Sequence, residues 1–144
     1  MELKKLCFFN IDGEIITQND ARYEKARQEW NRAIQKYPIA IVYCENNEDV
    51  SEAVVWASSR QLPIRVRSGG HNYEGYSIDN GVVIIDISRM NNININYVNN
   101  TIKVQGGVKN SQLYNTISPK GYPFPGGTCP TVGGGGCKPT VRLF

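Results

Sequence analysis

The spacing of apolar positions changes several times along the chain, and each change predicts an element. Residues 20–34 are charged and helix-compatible, with Tyr23, Ala26, Trp30, Ala33 and Ile34 roughly at helical spacing, so a helix is predicted there, closed by Pro38. Ile39-Ala-Ile-Val-Tyr43 is a compact β-branched run and reads as a buried strand. Asn47-Glu-Asp starts a predicted helix that runs to about Ser59, with Val50, Ala53, Val54 and Ala57 on its apolar face. Pro63-Ile-Arg-Val-Arg67 is a second strand leading straight into glycines. A strand–helix–strand unit ending in a glycine-rich turn is a way to present backbone amides to a phosphate.

Asn80-Gly81 marks a tight turn before residues 82–86, the most strand-like stretch of the chain. Residues 93–97 and 101–105 alternate apolar and polar side chains around Asn99-Asn100, which predicts a hairpin with one buried face. Gly106-Gly107 ends it. Residues 111–117 then read as a short helix with Leu113, Tyr114 and Ile117 inward, before Pro119 and Gly121 open a Pro/Gly-rich segment. No internal repeat or interdomain linker interrupts this order.

Composition narrows the possibilities. A chain of 144 residues suffices for one domain that buries somewhat over two-thirds of its unfolded surface. The net charge of +3 is mild and its cations are scattered, which argues against a nucleic-acid face. The apolar patch Leu6-Cys-Phe-Phe9 is followed at once by Asp12 and Glu14 without a small-residue cleavage site. A signal peptide is therefore not expected, no segment has membrane-spanning length, and the expected location is the cytoplasm. The four cysteines (Cys7, Cys44, Cys129 and Cys137) form no disulfide framework. Cys129 and Cys137 lack zinc-ligand spacing, and with a single histidine in the chain no metal site is expected.

The candidate chemistry lies in two loops, Arg67-Ser-Gly-Gly-His-Asn-Tyr-Glu-Gly-Tyr-Ser77 and Pro125-Gly-Gly-Thr-Cys-Pro-Thr-Val-Gly-Gly-Gly-Gly136. Each sets one nucleophile, His71 or Cys129, among glycines whose N–H groups can turn toward a ligand. Alone, the run 133–136 would read as a flexible linker, Cys129 as a buried free thiol, and Cys137 as a free thiol in a frayed tail. Asp86 is open between binding a cofactor hydroxyl and capping a turn. Tyr73 and Tyr76 are open between a cofactor and the core.

The first loop with the following Gly81-Val-Val-Ile-Ile-Asp-Ile-Ser88, together with Gly126-Gly-Thr-Cys-Pro-Thr-Val-Gly133, resembles the FAD-binding domain of the vanillyl-alcohol-oxidase (PCMH-type) superfamily, in its berberine-bridge-enzyme-like branch. The resemblance covers most of the chain up to about Gly135. It implies an α+β fold with a strand–helix–strand lobe and a more β-rich lobe, and FAD between them. It implies covalent FAD, with His71 bonded to the 8α-methyl carbon and Cys129 to C6 of the isoalloxazine. By the same resemblance, backbone amides of Ser68, Gly69, Gly70, His71 and Asn72 hold the pyrophosphate, supported by Arg67 and Ser77, while Thr128, Val132 and Gly133 accompany Cys129. A complete member takes a hydride from an alcohol or carbohydrate carbon and passes electrons to dioxygen or another acceptor.

The chain departs from the family after the second loop, where Cys137-Lys-Pro-Thr-Val-Arg-Leu-Phe144 does not resemble the expected continuation. The expected organisation is an N-terminal extension and helix over 1–37, a partial FAD-binding domain over 38–136, truncated after the second flavin loop, and a divergent tail over 137–144. In the family the substrate domain and catalytic base lie beyond this point, so no catalytic residue is assigned and a small-molecule substrate is expected only if such a domain completes the chain. A non-catalytic flavin- or nucleotide-binding remnant is the alternative. Neither nucleic acid nor membrane is an expected partner.

Overall fold

The computed structural model describes residues 11–124, 126–133 and 140–142. The Leu6–Phe9 patch, Cys7, Pro125, glycines 134–136 and Cys137 lie outside the described residues, as does the tail apart from 140–142.

A four-stranded sheet forms first along the chain, from β1 (Glu14–Thr17), β2 (Ala40–Tyr43), β3 (Ile64–Arg67) and β4 (Val83–Asp86). Its order is β1-β2-β4-β3, with β2, β4 and β3 parallel and β1 antiparallel on the β2 edge. Helix α2 (Asn47–Ser59) makes the crossover from β2. Alternation in the parallel strands splits the core between the two faces. Val42, Val83 and Ile85 pack with Ala53, Trp56 and Ala57 of α2, whereas Ile41 and Ile84 pack with Ile16, Tyr23 and Ile78. Apolar cover on both sides explains why β2 and β4 read as continuous apolar runs.

A second sheet, β5-β6-β7, is built from β5 (Ile93–Asn96), β6 (Thr101–Val104) and β7 (Thr140–Arg142), all antiparallel. The hairpin pairs Ile93 with Val104 and Ile95 with Ile102. Asn100 takes a φ of 49° in its turn, a conformation asparagine tolerates. Helix α3 (Asn110–Ile117) lays Leu113 and Ile117 on Ile102, Val104 and Val108. A mixed α+β fold results.

Two expectations are corrected. The long helix expected over residues 20–34 is a single turn, α1 (Tyr23–Ala26). Arg27 leaves it to hydrogen-bond Glu24 and Gln35 and to stack 4.3 Å over the Tyr37 ring, and Trp30 N–H donates to Gly70 O at 2.9 Å. Tertiary partners thus replace the intrahelical ladder. On α2, Val54 faces solvent at 40% exposure, while Asp49 and Trp56 turn inward. Asp49 accepts backbone hydrogen bonds from Asp12, Gly13 and Glu45 and so ties the segment entering β1 and the end of β2 to the helix.

Candidate functional site

The first loop starts where Arg67 ends β3, and its side chain turns down into the core rather than out toward a ligand. Arg67 Nε donates to Asp86 Oδ2 at 2.6 Å, and a terminal nitrogen lies 3.5 Å from Glu29 Oε1. Both acids are buried with it. Burial works against the Arg67 charge, but the attraction of Asp86 and the hydrogen bond to it outweigh that cost and hold the guanidinium protonated. Asp86 also accepts from Ser88 N–H at 2.9 Å, so it closes a turn as well as pairing with arginine. Glu29 Oε2 accepts from the Ser77 hydroxyl at 3.0 Å, which fastens the far end of the loop. The nearer Glu29 oxygen and the facing Arg67 nitrogen are both buried without a hydrogen bond.

Above this cluster the backbone of residues 68–72 is shaped for close approach. Gly70 has a φ of +66°, and a Cβ there would sit 2.9 Å from Glu29 Oε2. The N–H groups of Gly69, Gly70, His71 and Asn72 donate to no acceptor among the described residues. Asn72 Oδ1 accepts from the N–H groups of Glu74 and Tyr76 and folds the loop back on itself. The half-buried His71 imidazole stacks on Trp30 with ring centroids 4.7 Å apart and planes at 24°. Tyr73 and Tyr76 are 87% and 72% exposed, so neither packs in the core.

The second loop is held by the start of α3. The buried Asn110 side chain donates to the carbonyls of Cys129 at 2.9 Å and Gly127 at 3.2 Å, and its N–H donates to Val132 O at 3.0 Å. Ser111 N–H reaches Pro130 O, and Tyr114 OH reaches Gly127 O. Cys129 is exposed, with its Sγ 3.6 Å from Thr131 Oγ1. The Thr131 hydroxyl, the Thr131 N–H and, more weakly, the Val132 N–H pull its thiol below the usual cysteine range. Cys44 is the opposite case, pushed up to about 12 by burial and by Asp49 and Asp86. Of the two described thiols only Cys129 has nucleophilic character.

The loops meet. A Cβ on Gly69 would lie 2.8 Å from Gly133 N, and one on Gly133 would strike Ser68 Oγ. Ser68 Oγ in turn donates to Gly106 O at 2.7 Å. Between the loops opens a cavity of about 510 Å³. Of the residues singled out from sequence, Ser68, Gly69, Gly70, His71, Asn72, Ser77, Val132 and Gly133 line it; Arg67, Thr128 and Cys129 do not. Val66, Tyr76 and Ile87 complete the lining. Backbone N–H groups with no acceptor among the described residues and an apolar wall fit a phosphate-bearing cofactor with an aromatic ring, and the volume suits part of a dinucleotide. Glu29, Trp30 and Asn110 escaped the sequence reading. For Asn110 a signal existed, since a short polar residue opening a helix is positioned to bind neighbouring loop backbone. Among the described residues no cluster of His, Cys, Asp and Glu can hold a metal, and no helix is long and apolar enough to cross a membrane.

Residues 38–137 match the FAD binding domain family. The chain is 34% identical over 123 residues to an uncharacterized FAD-linked oxidoreductase, YgaK, of Bacillus subtilis, covering 85% of this chain and 27% of that protein. It is 38% identical over 103 residues to berberine bridge enzyme-like 16 of Arabidopsis thaliana, covering 69% and 19%. Among solved structures it superposes on 6-hydroxy-D-nicotine oxidase from Arthrobacter nicotinovorans with a TM-score of 0.84 and 32% identity, over 90% of this chain and 29% of that one. The chain thus spans less than a third of the length of the proteins it matches.

Proposed function

We propose, for a chain that belongs to the FAD binding domain family and is the FAD-binding domain of an FAD-linked oxidoreductase, that the flavin is held covalently, by His71 and also by Cys129. The observation that carries this reading is the meeting of two glycine loops around one cavity, with His71 on its wall. The N–H groups of residues 69–72 receive the pyrophosphate, and Ser68 and Ser77 steady the loop that presents them. Arg67 acts from beneath, through Asp86 and Glu29, and does not touch the ligand. Thr128 belongs to the same loop as Cys129, Val132 and Gly133 and shapes its backbone.

Flavin supplies hydride-accepting chemistry when bound. His71 contributes a nitrogen lone pair and Cys129 a thiolate, both suited to attack an electron-poor carbon. A bond from His71 to a flavin carbon would cost the imidazole its N–H proton and that carbon one hydrogen, and the two electrons released would require an acceptor such as dioxygen, reduced to hydrogen peroxide. The donor oxidised by the whole protein is proposed to be an alcohol or carbohydrate carbon. A nicotine-type donor is a second reading, favoured by the likeness to 6-hydroxy-D-nicotine oxidase.

Intact mass of the denatured chain, purified after expression with ample FAD, tests attachment. An FAD adduct that vanishes in a variant carrying both His71→Ala and Cys129→Ala, and diminishes in each single variant, is expected. A bare polypeptide mass overturns covalent attachment and leaves a reversible flavin- or nucleotide-binding domain.

A further inference from the structure

Trp30 stands out because nothing about its burial explains its place. It is 63% exposed, yet its indole lies flat against the only imidazole in the chain, with centroids 4.7 Å apart. It is brought there deliberately. Trp30 N–H bonds to Gly70 O at 2.9 Å, and the preceding Glu29 is locked in the core by Ser77 and faces Arg67. The next residue, Asn31, reaches Tyr73 O with its amide at 3.5 Å. Three consecutive residues therefore clasp the outside of the 70–77 loop, and they do so at the cost of the helix the sequence favours.

We propose that Trp30 is a positioning residue for His71: its indole face fixes the imidazole plane and favours the cationic form through which that ring passes as it is alkylated. The inference rests on the reading that His71 is the attachment point. An imidazole that bonds to carbon through one nitrogen carries a positive charge until the proton on its other nitrogen leaves. The face of an indole attracts a cationic ring more strongly than a neutral one, tryptophan being the best of the aromatic faces for this. Only that difference accelerates bond formation, because an interaction equally strong before and during the step changes nothing. Stacking also removes rotamers that a histidine on an open loop would otherwise sample, which keeps its lone pair aimed in one direction.

The test separates reversible binding from bond formation. Full-length apo chain is mixed with FAD, and reversible affinity is read from flavin fluorescence quenching. Covalent incorporation is followed in a Cys129→Ala background, so that only the bond to His71 is read, by acid-stable flavin fluorescence and intact mass. Trp30→Ala should slow the covalent step by about tenfold while reversible affinity changes by less than about twofold, and Trp30→Phe should restore most of the rate. In a Trp56→Phe background, where Trp30 is the sole remaining indole, His71→Ala should change its emission without any FAD present, as expected for a removed stacking partner. Incorporation at the wild-type rate in Trp30→Ala, with His71→Ala inert, overturns the role of Trp30 alone. So does a loss of rate that merely follows lost affinity. Wild-type incorporation in His71→Ala overturns the attachment reading, and this proposal with it.

Discussion

The two loops present one nucleophile each, but they are secured by different physics. Under the His71 loop lie an arginine and two carboxylates, all buried, and the strand that leads into the loop is part of a sheet covered on both faces. The Cys129 loop is held, among the described residues, by neutral groups of a short helix: chiefly the Asn110 amide at its start, with the Ser111 N–H and the Tyr114 hydroxyl. Charged anchors in a low-dielectric interior are stiff and costly to break, whereas a neutral amide bonded to two carbonyls is a lighter tether. The first loop is therefore preorganised by the fold, while the second is docked onto it. Under the proposed attachment, a preorganised loop would suit an imidazole that has to meet its target in one orientation, and a docked loop would suit a thiol approaching from the rim.

The comparison breaks most directly at Arg67. Replacing it with methionine keeps much of the volume but leaves Glu29 and Asp86 buried with no cation between them. Loss of one partner from such a pair costs about 3–5 kcal/mol, and chemical denaturation of Arg67→Met should show a fall of this size. A change below about 1 kcal/mol would mean that the cluster is solvated and that the first loop is held no more firmly than the second. The next largest effect is expected where the loops touch. In Gly133→Ala the new Cβ strikes Ser68 Oγ and comes within 3.0 Å of Gly69 N. Overpacking of about 1–3 kcal/mol should push the loops apart and weaken reversible FAD binding by roughly tenfold, measured by flavin fluorescence titration.

Those two sites also show what the residues disclosed unaided. Apolar runs, the asparagine-started helix and the hairpin alternation are local, and elements of the expected kind stand at α2, β2, β4, β5, β6 and α3 within a residue or two. Both glycine loops are legible as runs without side chains, which is where the loops pack closely on each other and on Glu29. The anchors were not visible. Glu29, Arg67 and Asp86 meet only after β4 has inserted between β2 and β3, and no local pattern encodes that order. The failed helix over residues 20–34 has the same origin. Its spacing is helical, but Arg27, Glu29 and Trp30 find better partners outside it. For Asp86 the sequence offers a cap or a cofactor ligand, and arginine pairing is not legible because the partner sits 19 positions away.

A smaller effect should separate the loops cleanly. Asn110→Ala strips hydrogen bonds from the carbonyls of Gly127 and Cys129 and should cost about 1–2 kcal/mol. Any Cys129 adduct should diminish while the His71 adduct persists, as read by peptide mapping of the flavinylated chain. Equal loss of both adducts would mean that the loops are secured as one unit.

The finest distinction concerns the thiol itself. Thr131, by hydroxyl and then by N–H, pulls the Cys129 thiol below its usual range, with Val132 N–H adding a little. A lowered pKa means more thiolate at a given pH, and thiolate is the species that reacts. Thr131→Val keeps the side-chain shape and removes the hydroxyl, so the thiol should rise toward its ordinary value. Below that value the mutant then carries less thiolate, and iodoacetamide should modify residue 129 about two- to fivefold more slowly near neutral pH. Above both values the rates should converge, because each protein is then fully ionised. Mapping the label to the peptide containing residue 129 excludes Cys44, whose burial keeps it protonated. A rate difference that persists at high pH would show that Thr131 governs access to the sulfur, and the second loop would then be a steric device before it is an electrostatic one.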